Sequence, residues 1–397
     1  MSAVKITENV YWVGVKDPNL RIFDIIMPTK YGTTYNAYLV KGNDKIALID
    51  TVKKSFTDEF LANINEVAAV DKIDYLVINH TEPDHSGAIL ALLETNPALK
   101  LVCSKAAVPF VKNTLNLDVE IEGVKDNHVI DLGGRTLTFA GTPYMHWPDT
   151  MMEYLSDDGI LFSCDGFAAH IAADLIFDDA ITVDLDHESW YYYDAIMRPY
   201  SSFIAKNLAK LAGFDIRMIA PSHGPVFRKN AAGQIEKYRK WSADKSEGKN
   251  QVTIFYVSAY GNTEKIARGM AQALTEASLS PVLIDIATMD EADARDQIEA
   301  SKAIVFGTPT FNGDAVRPVW DAVNLISTVH SFGKKAAVFG SYGWSGEGVK
   351  LVGERLAGLR LKVFPETYRA RLIPSDEDLA EVKRFARKFA DFVLGAS

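Results

Sequence analysis

Residues 80–85 constrain the fold more than any other part of the sequence, because they pack several metal-binding side chains into one turn of chain. The run follows the apolar segment 75–78, which predicts a buried strand, and precedes the apolar positions 89–93, which predict a helix. Open α/β sheets hold their ligands at the carboxyl ends of their strands. We therefore expect a metal site at a sheet edge, with ligands drawn from His80, Glu82, Asp84 and His85.

The spacing H-x-E-x-D-H differs at one ligand from the H-x-H-x-D-H spacing of zinc hydrolases in the metallo-β-lactamase superfamily. Glu82 stands where those enzymes have an imidazole. An anionic oxygen is a harder donor than a neutral nitrogen and shifts preference from zinc toward iron or manganese. Two adjacent cations also need anionic ligands to offset their repulsion. The motif predicts a carboxylate-rich dinuclear site.

Three further ligand candidates follow apolar runs, where strands are expected to end. They are His146, Asp165 and His223. Any one histidine taken alone is more simply explained as a hydrogen-bonded core residue. The joint occurrence of seven ligand types at strand ends favours a metal centre.

With these residues the chain resembles the flavodiiron proteins, a family that joins a metallo-β-lactamase-like diiron domain to a flavodoxin-like domain and reduces dioxygen or nitric oxide. The match is carried by His80, Glu82, Asp84, His85, residues 146–149, Cys164 with Asp165, and residues 222–224. The resemblance implies one iron on His80, Glu82 and His146, a second on Asp84, His85 and His223, and Asp165 as the bridge.

The sequence departs from the family pattern around the bridge. Members commonly have Asn before the bridging Asp and Gly-Gln before a nearby His, whereas Cys164 precedes Asp165 and two alanines precede His170 here. We therefore expect His170 to be structural or to support a ligand. The same structural interpretation applies to His128, His187 and His330. For the cluster Tyr191, Tyr192 and Tyr193, core packing is favoured over a hydrogen bond to an iron ligand.

Composition bounds the remaining possibilities. The 397 residues fit two domains. A net charge of −10 without clustered Lys and Arg makes nucleic acids and anionic membranes poor partners. No apolar run is long enough to span a bilayer, and residues 1–9 are too short and polar for a signal peptide, so a cytoplasmic protein is predicted.

Only two cysteines are present, Cys103 and Cys164. Two thiols make a disulfide framework unexpected and a reducing compartment expected. They are also too few for a rubredoxin module, which needs four thiolates around iron. The electron donor, such as a rubredoxin, is therefore expected to be a separate protein.

The polar stretch 242–250 predicts a linker, so we place a diiron domain at residues 1–248 and an FMN-binding domain at residues 249–397. Before the metal motif, residues 10–15, 34–40 and 46–49 predict strands of a scaffold that the resemblance implies is an αββα sandwich. After the linker, strands at 252–257, 281–286, 303–306, 336–339 and 361–364 alternate with helical segments. This order predicts a flavodoxin-like, doubly wound parallel sheet, closed by an amphipathic helix that Ser375 and Asp378 cap.

Three loops at the ends of these strands have the residue types that flavin mononucleotide (FMN) requires. Hydroxyl and backbone N–H groups before a helix bind phosphate, and the first loop lacks the Lys of a nucleotide-triphosphate P-loop. One such loop alone could be an ordinary βα turn. The loops are Ser258, Ala259, Tyr260, Gly261, Asn262 and Thr263; Thr308, Pro309, Thr310, Phe311, Asn312 and Gly313; and Ser341, Tyr342, Gly343, Trp344, Ser345 and Gly346.

We therefore predict an oxidoreductase that passes electrons from FMN to two non-haem irons, where dioxygen or nitric oxide binds. One alternative is a metallo-β-lactamase-fold hydrolase with a fused flavodoxin-like redox domain. Another is a flavodoxin-like electron carrier with a degenerate metal site. Metal content separates the three, because zinc favours the hydrolase, no metal the carrier, and iron the oxidoreductase. The resemblance also implies a head-to-tail homodimer or a dimer of dimers, while the preferred oxidant and the electron donor stay open.

Overall fold

The computed structural model describes residues 2–246 and 249–395. Its contacts divide the chain into two compact units, Met1–Ala243 and Asp244–Ser397. The boundary that we predict between residues 248 and 249 involves residue 248, which lies outside the described residues. That boundary therefore stays a prediction.

The first unit contains two large sheets. One has the strand order β1-β2-β7-β8-β9-β10-β11 and the other the order β12-β13-β14-β15-β16. The strands are β1 Val4–Lys5, β2 Val10–Trp12, β3 Val15–Asp17, β4 Ile22–Phe23, β5 Met27–Pro28, β6 Thr33–Tyr35, β7 Tyr38–Lys41, β8 Ile46–Ile49, β9 Tyr75–Ile78, β10 Lys100–Ser104, β11 Ile121–Val124, β12 Val129–Asp131, β13 Thr136–Gly141, β14 Met151–Leu155, β15 Ile160–Cys164 and β16 Met218–Pro221.

The helices of the first unit connect and follow these strands. They are α1 Thr57–Asn65, α2 Pro83–Ser86, α3 Ile89–Thr95, α4 Val108–Leu115, α5 Leu185–Tyr192, α6 Ser201–Leu211 and α7 Ala231–Trp241. Short 3-10 turns lie at Lys54–Phe56, Val70–Lys72, Asp178–Ala180 and Arg198–Tyr200, and a π-helical turn at Tyr193–Met197. A single apolar cluster joins residues of both sheets, among them Val77 of β9 and Phe162 of β15.

Two predicted strands of the first unit are wrong in extent. The segment 10–15 is split into β2 and β3, and the segment 34–40 into β6 and β7. β2 and β7 pair in the first sheet, whereas β3 and β6 form a separate two-stranded sheet. The chain leaves the sheet between these pairs, at Gly14, where a Cβ atom would meet the Tyr35 carbonyl oxygen at 2.3 Å.

The second unit is a parallel sheet with helices on both faces. Its strands are β17 Gln251–Tyr256, β18 Ser280–Asp285, β19 Ala303–Phe311, β20 Asp314–Ala315, β21 Lys335–Tyr342, β22 Lys362–Val363 and β23 Tyr368–Arg371. Its helices are α8 Asn262–Glu276, α9 Glu291–Ala300, α10 Arg317–Asn324, α11 Glu347–Gly358 and α12 Asp376–Leu394, with a 3-10 turn at Ile286–Thr288.

Adjacent residues on the central strands belong to different apolar clusters. Ile254 and Val305 pack with residues of α8 and α12, while Phe255 and Phe306 pack with residues of α9, α10 and α11. A strand buried on both faces is the signature of a doubly wound sheet. The order β18-β17-β19-β21, with β23 pairing in parallel beyond β21, is the flavodoxin-like order.

The cap predicted for the last helix is confirmed. Ser375 accepts a hydrogen bond from the Asp378 N–H, and the Asp378 carboxylate accepts one from the Ser375 N–H. Each bond satisfies an N–H group that the first turn of a helix leaves without a partner.

The two cysteines, Cys103 and Cys164, are free and buried. Among the described residues, none of the helices combines the length and the apolar composition that a bilayer-spanning segment requires.

Candidate functional site

The seven predicted ligands come from the ends of strands in both sheets of the first unit. His80 follows β9, and the short helix α2 that comes next contains Asp84 and His85. His146 lies in the loop between β13 and β14, while Asp165 follows β15 and His223 follows β16. The segments that follow these strands lie close together. The seven residues form two groups of potential ligand atoms.

The first group consists of His80, Glu82, His146 and Asp165. The Glu82 Oε2 atom lies 3.0 Å from His80 Nε2 and 3.3 Å from His146 Nε2. The Nδ1 atom of His80 faces Asp149 Oδ2 at 3.2 Å, which leaves Nε2 of the same ring directed at the group. A carboxylate on the distal nitrogen is the usual way in which a protein orients a metal-binding histidine.

The second group consists of Asp84, His85 and His223. His223 Nε2 lies 3.3 Å from Asp84 Oδ2, and His85 Nε2 lies 3.4 Å from Asp84 Oδ1. The Nδ1 atom of His223 is 2.6 Å from the Thr34 carbonyl oxygen, to which it donates. As with His80, the ring is fixed with Nε2 facing the other ligands.

Asp165 belongs to the first group and also faces the histidines of the second. Its Oδ2 atom is 3.7 Å from His80 Nε2 and 3.6 Å from His146 Nε2. Its Oδ1 atom is 3.1 Å from His85 Nε2 and 3.4 Å from His223 Nε2. Each carboxylate oxygen therefore faces a different group, which is the geometry that a bridging ligand needs.

Burial and the attraction between imidazoles and carboxylates shift the pKa values of the site in opposite directions. Burial opposes protonation of His80, but hydrogen bonds to Asp149 and Glu82 outweigh it and raise its pKa to about 10. For His85, the charges of Asp84 and Asp165 outweigh burial and raise the pKa well above the usual range. Burial favours a neutral Asp165, yet the surrounding imidazoles, His85 first, hold its pKa well below the usual range. Metal binding must displace such protons.

Several atoms of the site are buried and lack hydrogen-bond partners within the described part of the chain. They are both carboxylate oxygens of Asp84, both ring nitrogens of His85, and Oδ1 of Asp165. Buried polar atoms are rarely left in this state unless an ion or water completes them. Three carboxylates and four imidazoles also supply the mixed oxygen and nitrogen donors that suit iron. The residues present therefore fit a dinuclear iron site.

A small cavity of about 160 Å³ opens beside the two groups. It is lined by Leu20, Ile22, Phe23, Asp24, Tyr35, Lys53, Glu82, Pro83 and Asp84. Burial first, then the charges of Glu82 and Asp84, raise the pKa of Asp24 to about 6. Asp24 has no recognisable signal in the sequence, because its position near the ligands depends on the pairing of the two-residue strands β4 and β5.

Asp149 is a second residue whose role in the site was not predicted. Its Oδ2 atom accepts from the N–H and the hydroxyl of Thr81, at 2.9 and 2.7 Å, besides facing His80. The segment 146–149 that carries the family resemblance includes it, so the signal was present. Asp149 fixes the first ligand of the motif to the loop that carries His146.

The remaining histidines and tyrosines lie as follows. His170 is buried, its Nδ1 lies 2.8 Å from Thr33 Oγ1, and its ring packs against Phe23 with ring centroids 4.2 Å apart. His170 is absent from both ligand groups. Tyr192 and Tyr193 are buried in the core, whereas Tyr191 is partly buried. His128 faces Glu122 at 3.4 Å, His187 lies in the first turn of α5, and His330 lies before β21; none of the three belongs to either ligand group.

The second unit has a cavity of about 210 Å³ where the three predicted loops meet. Its lining residues are Ser258, Ala259, Tyr260, Asn262, Thr263, Pro309, Thr310, Phe311, Ser341, Tyr342, Gly343, Trp344 and Leu372. Six predicted residues lie beside the cavity without lining it, namely Gly261, Thr308, Asn312, Gly313, Ser345 and Gly346. Leu372 was not predicted, because it follows the edge strand β23, which the sequence analysis missed.

The cavity fits a flavin phosphate. It opens at the amino end of α8, where Gly261 has φ +80° and a Cβ atom there would meet nothing within 4 Å. The hydroxyl groups of Thr263 and Ser341 lie 2.9 Å apart, and Ser258 Oγ accepts from the Glu264 N–H. Tyr260 and Trp344 are 86% and 79% exposed, so their rings are available to cover a planar ligand.

Comparison with known proteins agrees with this division. Residues 33–224 match the model of the ODP family beta lactamases, and residues 254–385 match the flavodoxin model. A flavo-diiron protein of Clostridium acetobutylicum is 41% identical over 98% of this chain and 99% of its own. A nitric oxide reductase of Moorella thermoacetica is 35% identical over 98% of both chains.

A solved structure gives the same result. The rubredoxin oxygen:oxidoreductase of Desulfovibrio gigas superposes with a TM-score of 0.70 and 32% identity over the whole of both chains. The fold and the site therefore define a two-domain protein with a metallo-β-lactamase-like unit followed by a flavodoxin unit, and both fold predictions are confirmed. The chain belongs to the flavodiiron protein family.

Proposed function

We propose that the protein reduces dioxygen to water, nitric oxide to nitrous oxide, or both, at a dinuclear iron site supplied with electrons by FMN. The observation that carries this proposal is the position of Asp165, with one carboxylate oxygen facing each ligand group beside an open cavity. The family relatives named as a nitric oxide reductase and a rubredoxin oxygen:oxidoreductase support it.

The proposed ligands are the seven residues identified from the sequence. One iron would be held by His80, Glu82 and His146, the other by Asp84, His85 and His223, and Asp165 would be shared between them. When bound, two ferrous ions and a reduced FMN together supply the four electrons that dioxygen needs to become two waters. The two ions also offer open coordination positions to a diatomic gas.

The protein residues contribute orientation and hydrogen bonds. Asp149 and the Thr34 carbonyl fix the rings of His80 and His223. Ile22 and Phe23 line the cavity beside Glu82 and give part of its wall an apolar surface. The cavity volume of about 160 Å³ is sufficient for a diatomic gas.

In the second unit, the proposed FMN phosphate lies at the amino end of α8, held by hydroxyl and N–H groups of the first loop. Tyr260 and Trp344 are proposed to flank the isoalloxazine. The electron donor is proposed to be a separate protein such as a rubredoxin, and the cytoplasmic location stays a prediction.

The test is the stoichiometry of a single turnover. Fully reduced protein mixed with limiting dioxygen is expected to oxidise both flavin and iron without accumulating hydrogen peroxide. Flavin absorbance, iron content and peroxide are measured on the same sample. Stoichiometric peroxide, or no reaction with either gas, contradicts the proposal, and zinc in place of iron supports the hydrolase alternative.

A further inference from the structure

The edge strand β23 presents two arginines to the third flavin loop. β23 pairs in parallel with β21, with Arg371 opposite Tyr342 and Arg369 opposite Gly340. Along this strand Tyr368 and Ala370 are buried while both arginines are exposed. Because side chains alternate between the faces of a strand, the two guanidinium groups project from one face, beside residues 341–346.

Both guanidinium groups donate to carbonyl oxygens of that loop. Arg371 Nε donates to the Gly343 carbonyl oxygen at 3.2 Å, and Arg369 Nη1 donates to the Gly346 carbonyl oxygen at 3.2 Å. A Cβ atom at Gly346 would lie 3.3 Å from Arg369 Nη1, so the side chain packs directly against the loop. The arginines hold the loop whose residues Gly343 and Trp344 line the cavity.

The bond from Arg371 also fixes the peptide between Gly343 and Trp344. In a planar trans peptide, the carbonyl and the N–H of the next residue point in opposite directions. Arg371 is not among the lining residues, whereas Gly343 and Trp344 are. Since the Gly343 carbonyl accepts from Arg371, the Trp344 N–H of the same peptide points away from the guanidinium group.

The charged side chains around the cavity lie outside its lining and include both signs. Among the described residues, those that line it include no carboxylate. Lys265 adds a third cation close by, since its Nζ donates to the Pro374 carbonyl at 2.8 Å, two residues from Leu372. Glu347, in the first turn of α11, offsets part of the charge of Arg369. Arg371 forms no ion pair within the described part of the chain, so its charge is the least compensated.

We propose that Arg371 is a positioning residue that raises the reduction potential of bound FMN, with Arg369 as a weaker second. Two electrons from the donor and one proton from solvent convert FMN to its reduced anion, and a nearby guanidinium stabilises the added negative charge. The same side chain also fixes the peptide between Gly343 and Trp344, two residues that line the cavity. This inference rests on the FMN binding proposed above.

The test uses the full chain loaded with FMN and compares Arg371→Gln with wild type. Removing the charge is expected to weaken binding of the reduced relative to the oxidised flavin by about three- to tenfold, a fall of about 15–30 mV for a two-electron couple. Because Arg371 is exposed, the difference should shrink as salt rises from low to high ionic strength. Potentials are measured by spectroelectrochemistry, and the affinity for oxidised FMN by fluorescence.

Two further variants separate charge from structure. Arg371→Lys keeps the charge, so its potential should match wild type at low salt even where loss of the planar fork weakens FMN binding. Arg384→Gln makes the same charge change on α12, where Arg384 pairs with Glu381 at 3.2 Å, and should leave the potential unchanged.

Each outcome has one interpretation. An unchanged potential in Arg371→Gln, or an equal fall in Arg384→Gln, overturns the inference while leaving FMN binding intact. If Arg371→Gln loses its flavin, Arg371→Lys decides, and a lowered potential in that variant at low salt overturns the inference. Failure of the wild-type chain to bind FMN overturns the proposed function itself.

Discussion

Asp165 is the residue on which both ligand groups depend. It is almost fully buried, follows β15 directly, and directs one oxygen at each group. Its negative charge also offsets the imidazoles on either side, as the low pKa imposed by His85 shows. Removing this carboxylate takes a ligand from both proposed irons at once.

We predict that Asp165→Ala lowers iron content from about two per chain to well below one, because both proposed sites lose an anionic ligand together. Iron is measured by elemental analysis of protein folded in excess ferrous ion. The control is Asp118→Ala, since the Asp118 side chain is fully exposed and remote from the ligands. A variant that kept both irons with wild-type spectra would remove Asp165 from the ligand set.

Glu153 is a buried acid outside the ligand set. It lies on the central strand β14, fully buried between Phe139 and Phe162 of the neighbouring strands. Its carboxyl lies beside the Asn79 amide without completing a hydrogen bond of normal geometry. Burial first, and then the charge of Asp50, raise its pKa well above the usual range. The folded protein therefore holds a proton on Glu153 after the unfolded chain has lost it.

Because only the folded state retains this proton, the free energy of unfolding falls as pH rises. Above a pH of about 4.5, where the Glu153 carboxyl of the unfolded chain ionises, the folded state binds more protons, so the free energy of unfolding declines by up to about 1.4 kcal/mol per pH unit. The glutamine in Glu153→Gln cannot ionise, so the variant should not show this decline. Its free energy of unfolding relative to wild type should therefore increase between pH 5 and the pKa of Glu153 in the folded state. Urea unfolding of the metal-free protein at several pH values measures it. Parallel wild-type and variant profiles, or the same change in the exposed Glu94→Gln, would refute the argument.

The residues of the site could be predicted from the sequence where several of them lie in one short segment. The spacing of His80, Glu82, Asp84 and His85 identified a metal motif without any partner segment. Assigning His146 and His223 to particular groups required the family resemblance, because strands far apart in sequence determine which ligands meet. Asp24 had no signal in the sequence, since it reaches the ligands only through the fold of its hairpin.

The same limit applies at the scale of elements. The buried strands β9, β17 and β19 were predicted because burial on both faces produces continuous apolar runs. The edge strand β23 was not predicted, although Tyr-Arg-Ala-Arg alternates as expected of a strand exposed on one face, because four residues without an apolar run give a weak signal. The two-residue strands β4 and β5 are too short to give any periodicity.

The turn after β16 requires a glycine at position 224. Gly224 has φ +74°, and a Cβ atom there would lie 2.1 Å from the Ala169 carbonyl oxygen. Its N–H donates to Thr34 Oγ1 at 2.7 Å, next to the Thr34 carbonyl that orients His223. A side chain at this position must push the His223 loop away from the strand that holds it.

We predict that Gly224→Ala reduces iron content and destabilises the first unit by roughly 1–3 kcal/mol, the cost of a strained backbone position. The loss of metal follows because His223 leaves its group. Gly213→Ala is the matched control, since a Cβ atom at Gly213 would meet nothing within 4 Å. Iron analysis and thermal unfolding are measured on both variants. Equal metal content in the two would show that this turn does not position His223.

At the scale of the whole molecule, the two chemistries belong to different compact units. The ligand groups lie within Met1–Ala243 and the flavin cavity within Asp244–Ser397, each with its own apolar core. Electrons must therefore pass from one unit to another. The head-to-tail dimer that the family resemblance implies would place the flavin of one protomer beside the metal pair of its partner, through a closed two-fold interface.

Mixing two inactive variants tests this assembly. Asp165→Ala removes the proposed bridge, and Asn262→Asp places a carboxylate in the loop proposed to hold the flavin phosphate, where like charge opposes binding. Neither variant alone should reduce dioxygen. In a head-to-tail dimer that contains one chain of each kind, the intact flavin of one chain meets the intact metal pair of the other. Random subunit exchange makes half of the dimers mixed, and each mixed dimer has one complete site. Mixing should therefore restore about a quarter of wild-type activity per chain. If electrons instead pass within one chain, no mixture recovers activity, and a stable monomer with full activity would exclude the dimer altogether.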